Sequence, residues 1–552
     1  MSPTPETQQK SPPRQIHGIR WAIVYSAMLS TTFLFAVDNT ITADIQPSIL
    51  HTLGHVSLLP WIGTGFALGG LAILAWGQCY GVFGTRAVYL CSIVLFEAGS
   101  AVCGAAPTTS ALVAGRAVAG LGGCGIYAGT LNYVSLLTGP RERPAYLAGS
   151  TAVWGVGSVV GPVIGGAFAA SAATWRWGFY INLVVGALFA PAYILLFPSI
   201  DPQPDRTLSQ KCRMIDWPMI AVFLAGSACL ITAISFGGTV LAWDSGAEIA
   251  LWVVAGALLV ASIALTKFHP GVAREHRLYP AHYLKRPILV NLQVQMFLSS
   301  GIILAMTYYI PLFFQFTRGD GPLVAGVRLL PLIISMVVVS MLNGSLMPRF
   351  PYISPWYIVG SSLSLIGCAL MCTVNEETPN PNIYGYTILI GAGAGCYIVA
   401  GVAIIQAMVP AEETSDAIGA MAISQTLGMA IFLAASGTLY QNIAVQELTG
   451  ISDILLPPPA SGSSMDPASL STTTATTTAP AIAMITDLVA GTSSDAYQAL
   501  GPAARAAVSS RVAAAMGNVW LFFLAAAALS FALSWFLVVS CILMIILPNL
   551  SI

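Results

Sequence analysis

The 552-residue chain is 56% hydrophobic and 8% charged, with a formal net charge of -1 and a mean hydropathy of +0.79. So few charges exclude a water-soluble protein, and the lack of a basic stripe excludes nucleic acid as a partner. Apolar runs of roughly 20 residues or more match a hydrocarbon core of about 30 Å, so the lipid bilayer is this chain's solvent.

Residues 1–19 are polar and Pro-rich and lack the apolar core of a removable signal peptide, which predicts a disordered cytoplasmic tail. Apolar runs then predict spans at about 20–45, 58–79, 87–106, 111–136, 145–170 and 178–198, a first bundle within 20–198. The segment 199–287 reads as a linker carrying two spans, at about 216–240 and 248–267. A second six falls within 288–548, at about 288–315, 322–347, 355–374, 383–409, 416–440 and 517–547. Between the last two lies a hydrophilic insertion, 441–516, whose Ser/Thr-rich stretch (SGSSMDPASLSTTTATTTAP) cannot bury a core. The Ala-rich piece that follows it up to 516 reads as a surface helix.

Fourteen spans place both termini on one side. With that side inside, the inner segments hold fifteen cations (Lys10, Arg14, Arg20, Arg86, Arg141, Arg143, Arg206, Lys211, Arg213, Lys267, Arg274, Arg277, Lys285, Arg286 and Arg349). The outer loops hold four, Arg176, Arg318, Arg505 and Arg511. Cationic loops stay cytoplasmic, so both termini are expected inside. The inner loop at 410–416 runs against the pattern, with Glu412, Glu413 and Asp416 and no cation. The Asn-x-Ser sequons at Asn343 and Asn549 then face away from the glycosylation machinery and are expected to stay unused.

Several motifs carry no chemistry here. No phosphate-binding Gly-Lys-Ser/Thr loop occurs, so the chain has no ATPase of its own. Gly120, Gly122 and Gly125 satisfy GxGxxG but sit inside an apolar span with no strand before it, so they read as helix packing. His51 and His55 have metal-pair spacing without a third ligand, and no metal or cofactor is expected. No clustered His or nucleophile set suggests an enzyme.

The informative residues are charges inside the bilayer, where each costs at least a few kcal/mol unless it is paired or faces a wet cavity. They are Asp38, Glu97, Arg116 and Arg328. Asp38 and Arg116 fall at nearly the same depth and are expected to interact, with Glu97 slightly deeper. A static ion pair holding the bundle together is the alternative. An acid that alternates between an apolar pocket and an Arg neighbour takes up and releases a proton, so coupling is expected in the first six spans. The cavity residues expected to meet a largely apolar ligand are Tyr127, Gln293, Gln295, Tyr308, Tyr309, Gln315, Tyr397 and Gln406.

Several segments resemble the major facilitator superfamily, and within it the fourteen-span drug/proton antiporter branch found in fungi. AVDNTITADIQPSI is similar to that branch's first-span signature and puts Asp38 at its membrane acid. LVAGRAVAGLGG is similar to the RxxxGxG motif, with Arg116 in the position linked to proton transfer. GSVVGPVIGG fits the antiporter motif through Gly157, Gly161, Pro162, Gly165 and Gly166. WRWGFYINL at 175–183 and YYIPLFFQFTRGDGPLVAGVRLLP at 308–331 also resemble the branch. In the loop after span 2, GQCYGVFGTR keeps Gly77, Gly84 and Arg86 but has Gly81 where the family carries an Asp of the inner gate. Another contact is expected to serve there.

The resemblance implies an all-α membrane protein of the major facilitator fold: two six-helix bundles and two inserted linker helices, in a monomer. It implies a proton-coupled carrier, in the cell membrane or a vesicle membrane, that exports small, mostly apolar compounds such as toxins or drugs. A proton-coupled uptake carrier of the siderophore type is the nearer rival. A receptor or channel fits less well, since the span count and the lack of a re-entrant filter oppose them.

Overall fold

A computed structural model describes residues 16–54, 58–139, 142–268, 277–279, 281–347, 353–410, 413–451, 484–485, 488–489, 492 and 495–546. The residues 1–15, His55, Arg141, Arg274, Arg349, Glu412, the Ser/Thr-rich stretch and Asn549 lie outside them, and with them the expectations placed there.

Among the described residues the chain is helical, with fourteen helices long and apolar enough to cross a membrane. The first six spans are Gly18–Leu53, Leu59–Gly70 continued by Ile73–Val82, Thr85–Ala105, Thr109–Leu137, Arg143–Ala169 and Trp177–Leu195. Spans 7 and 8 are Trp217–Phe236 and Gly246–Phe268. Spans 9 to 14 are Pro287–Arg318, Pro322–Val327 continued by Leu330–Leu346, Ile353–Met371, Asn380–Met408, Thr414–Thr449 and Pro502–Ile546. The side on which span 1 begins, and to which span 14 returns, is called here the terminal face.

Helix starts follow local chemistry. Thr108 accepts a hydrogen bond from Ala111 N ahead of span 4, and Asp216 accepts one from Met219 N ahead of span 7. Proline stands in the first turn of spans 2, 5, 7, 9, 10 and 12, where its missing N–H costs nothing. Span 10 breaks at Arg328 and Leu329, just before Pro331, which cannot continue the hydrogen-bond ladder.

Spans 1 to 6 pack as one bundle and spans 9 to 14 as another. Span 7 lies against spans 2 and 13, one from each bundle, and span 8 packs on span 7. Span 8 is almost wholly exposed, presenting Val253, Leu259, Val260 and Ile263 as an apolar face for lipid. Glycines set the closest approaches. A Cβ on Gly120 would lie 2.0 Å from Phe66 O of span 2, and one on Gly122 2.2 Å from Phe96 N of span 3, so this GxGxxG serves helix contact.

Three helices run well beyond what the hydropathy pattern predicts. Span 1 continues to Leu53, which puts Asp38 well inside the helix rather than near its end. Span 14 begins at Pro502, so the Ala-rich stretch expected on the surface is the first part of a 45-residue helix. Val508, Val512 and Ala515 in that stretch are buried and join the core of the second bundle, which is why it does not separate. Span 13 likewise runs on to Thr449, so the expected insertion 441–516 narrows from both ends.

Candidate functional site

The polar centre of the first bundle is built around Asp38. Its Oδ2 accepts from Arg116 Nη1 at 2.5 Å, and both side chains are fully buried. Arg116 Nη2 donates to Asp38 O at 3.1 Å, and its Nε donates to Ile62 O of span 2 at 3.0 Å. The guanidinium lies 4.1 Å from the centre of the Phe66 ring, an attractive cation–π placement. Removing either charge leaves the other buried and unpaired, at a cost of about 3–5 kcal/mol.

Asn182 of span 6 completes the cluster. Its Nδ2 donates to Asp38 Oδ1 at 3.1 Å and to Ser100 Oγ of span 3 at 3.0 Å. The pattern of charges does not single out Asn182; its signal is an amide within the uncharged, mostly apolar helix Trp177–Leu195. Spans 1, 2, 3, 4 and 6 thus converge on one carboxylate.

Glu97 stands apart from the ion pair. Its carboxyl lies against Gly186, one turn beyond Asn182, where a Cβ would come within 2.3 Å of Glu97 Oε1. Glu97 Oε2 is buried with no hydrogen-bond partner among the described residues. Arg328, expected as an intramembrane charge, is paired: it binds Asp320 through Nε and Nη2, and Tyr384 through Nη1. The break in span 10 carries it to the end of the helix, within reach of the loop acid.

The glycines of span 5 mesh with span 1 beside Asp38. A Cβ on Gly157 would lie 2.9 Å from Phe33 O, on Gly161 2.9 Å from Val37 O, and on Gly165 2.8 Å from Ile41 O. Those carbonyls recur every four residues, one helical turn apart. Pro162 and Gly166 are buried on the same helix.

Between the two bundles lies a narrow gap of about 20 Å³, room for about one water molecule, lined by spans 1, 5, 9, 10 and 13. Its lining is apolar: Trp154, Ile303, Leu304, Ile333, Met336 and Met429 form it together with carbon atoms of Asn39, Thr40, Ser158 and Thr307. The Thr40, Ser158 and Thr307 hydroxyls bond back to Ala36, Trp154 and Leu304 of their own helices. Asn39 directly follows Asp38, so gap and ion pair share span 1.

None of the residues expected to meet a ligand lines this gap. Gln293 accepts from Tyr279 OH at 2.9 Å, and Gln295 donates to Asn291 while accepting from Ser530 and Ser534. Tyr309 packs edge-on against Tyr440, Tyr397 lies on Tyr357, and Tyr127 stacks on Phe35. Gln315 is 1% exposed and Gln406 half-buried. Tyr308 reaches across to the first bundle.

At the terminal face, Gly77 is exposed, Gly84 opens span 3 and Arg86 is half-buried. Gly81 has open space around it. Beside it, Gln78 Oε1 accepts from the Asp216 backbone N–H at 3.0 Å. The acidic loop also finds partners there, with Glu413 Oε2 2.9 Å from His282 Nε2.

Two six-helix bundles around a central gap, with a buried acid beside it, define a membrane carrier. The chain belongs to the Major Facilitator Superfamily, whose sequence profile matches residues 27–433. It is 59% identical over 523 residues to "Efflux pump DEP3" of Fusarium langsethiae, covering 95% of this chain and 90% of that one. It is 58% identical to "Efflux pump DEP3" of Alternaria brassicicola, covering 96% and 89%. Among solved structures, a bacterial homologue of the human lysosomal transporter Spinster, in an inward-facing and occupied conformation, superposes with a TM-score of 0.56. That match covers 94% of this chain and 98% of the other at 16% identity, a likeness of fold alone.

Proposed function

We propose that the chain is a proton-coupled exporter of small, largely apolar organic compounds, of the kind fungi make as secondary metabolites or meet as drugs. The gap carries this reading: an uncharged, apolar lining between the two bundles suits a largely apolar body. Relatives named efflux pumps, at 59% and 58% identity over most of both chains, support the outward direction.

Asp38 is the proton-responsive acid, Arg116 its partner, and Glu97 a second acid. With Asp38 charged, Arg116 and Asn182 hold it and span 2 is tethered through Ile62 O. A proton on Asp38 loosens that tether, and the bundles rock about the gap. The glycine stripe of span 5 keeps span 1 in register during the movement. One charge crossing 100 mV is worth about 2.3 kcal/mol, which sustains a gradient of roughly fifty-fold. The excess of cations at the terminal face supports an orientation with both termini in the cytoplasm; the membrane is the plasma membrane or that of a vesicle, and one chain is the working unit.

Expression in a yeast stripped of its own efflux pumps, followed by a resistance screen with toxic apolar compounds, tests the direction. Resistance together with lower cell content is expected; raised cell content of every compound tested would mean uptake.

A further inference from the structure

Tyr308 of span 9 crosses from the second bundle into the first. Its hydroxyl lies 2.8 Å from Thr42 Oγ1 and reaches Asn39 O at 3.5 Å, both on span 1. The ring end sits over Gly63 of span 2, where a Cβ would fall 2.7 Å from the hydroxyl oxygen and 2.8 Å from Leu433 Cδ2. Only glycine leaves this notch open, and the tyrosine fills it.

The walls of the notch are neighbours of the ion pair. Asn39 follows Asp38, and Ile62, whose carbonyl accepts from Arg116 Nε, precedes Gly63. Arg116 also holds the Asp38 carbonyl, so one guanidinium fixes the backbone of spans 1 and 2 one residue from Asn39 and Gly63 and one helical turn from Thr42, the three places where Tyr308 lands. On the other side, Leu304 and Thr307, one turn and one residue before Tyr308, line the gap.

Resting on the proton-coupled reading above, we infer that Tyr308 is a latch: a positioning residue that transmits the state of the Asp38–Arg116 pair to the second bundle. While the pair is intact, Gly63 and Thr42 are held where Tyr308 fits, and the bundles stay joined on the face opposite the termini. A proton added to the Asp38 carboxyl weakens its bond to Arg116, Ile62 is released, the notch shifts and Tyr308 withdraws. Loss of the proton restores each contact. The titratable and charged groups around Asp38 are Arg116 of span 4, Glu97 and Cys103 of span 3 and Tyr308 itself, so the pH response belongs to this group.

The test compares Tyr308→Phe, which keeps the ring and removes the hydroxyl, with Thr42→Val, which removes its partner from the other side. The full chain is reconstituted in vesicles with a substrate found by the resistance screen. Uphill transport driven by a pH gradient and downhill exchange without one are both measured across pH. Either substitution is expected to leave downhill exchange intact while uphill accumulation falls about fivefold, near the factor of one hydrogen bond, and its pH midpoint moves. Tyr386→Phe on span 12, remote from the notch, leaves both unchanged.

Wild-type accumulation and pH midpoint in Tyr308→Phe and Thr42→Val overturn the latch, as does an equal loss of uphill and downhill transport. Should Tyr308→Phe fail to fold, Thr42→Val decides. Asp38→Asn run in parallel separates the two ideas: coupling retained in it overturns the proton reading, whereas coupling lost in it but intact in the latch variants overturns the latch alone.

Discussion

The Asp216 carboxylate accepts a hydrogen bond from Leu278 N at 3.1 Å, joining the start of span 7 to the segment that leads into span 9. The same residue caps span 7 through Met219 N and donates its own N–H to Gln78 of span 2. Tyr279, next to Leu278, donates to Gln293 of span 9. Below these bonds Leu74 of span 2 and Ile423 of span 13 share a core with Ile215, Met219 and Leu278. The linker thus spans the two bundles at the terminal face, beside the loop where Gly81 replaces the family's acid.

Asp216→Ala removes two acceptor contacts, the cap to Met219 N and the bond from Leu278 N. It is expected to lower the stability of the purified protein by about 1–2 kcal/mol, with Asp216→Asn in between. A thermal unfolding series in detergent reads this out, and an Asp216→Ala curve that overlays the wild type contradicts the clasp.

The span 1–span 5 contact makes a steric prediction. A Cβ on Gly161 would lie 2.3 Å from Thr40 Oγ1 and 2.9 Å from the Val37 carbonyl, and backbone cannot step aside cheaply. Gly161→Val is expected to cost at least about 1–3 kcal/mol. Gly517→Ala on span 14, with open space around it, is expected to be neutral or slightly stabilising because alanine favours helix. Matched melting temperatures for the two variants would remove the packing argument.

Much of this architecture was legible in the sequence, because length and apolarity are bilayer requirements that each helix meets by itself. Fourteen spans and the pairing of Asp38 with Arg116 followed from them. Helix ends did not: the extensions past 45 in span 1 and before 517 in span 14 are protein-packed, and hydropathy does not distinguish that from exposure. Asn182 was overlooked because an uncharged amide carries no hydropathy alarm, and its role comes from what spans 1 and 3 bring to it. The tyrosines and glutamines of the second bundle read as ligand groups by type alone, which does not reveal that Gln295 bonds Asn291 and two serines, that Tyr309 and Tyr397 pack on other tyrosines, or that Tyr308 bonds Thr42 of the first bundle.

Asn182 gives a third prediction. Asn182→Ala leaves Asp38 Oδ1 without its amide donor, and a hydrogen bond to a charged group is worth about 1.5–3 kcal/mol. Proton-coupled export is expected to fall by about tenfold or more at matched abundance. Asn182→Gln, which restores an amide on a longer stem, recovers part of it. Undiminished export by Asn182→Ala would show that Asp38 works without this bond.

The linker carries a pH-dependent contact outside the membrane. Lys211 Nζ bonds both oxygens of Asp201, at 2.7 and 2.6 Å, and this bond holds the Asp201 carboxyl below its ordinary range. A carboxyl with a lowered pKa stabilises the folded linker above its unfolded value, and the contribution disappears as pH falls through the lowered one. Protease protection of 201–214 is expected to be full at neutral pH and to drop below about pH 4. In Asp201→Asn that contribution is absent at both pH values, and a pH response identical to wild type would assign the transition to another group.

The central claim is that Asp38 couples proton movement to export. The most direct measurement is substrate accumulation in vesicles containing wild type or Asp38→Asn at equal protein content, with and without an imposed pH gradient. The wild type is expected to accumulate substrate only with the gradient, and Asp38→Asn to equilibrate it downhill yet gain nothing from the gradient. Gradient-driven accumulation by Asp38→Asn equal to wild type would contradict the account.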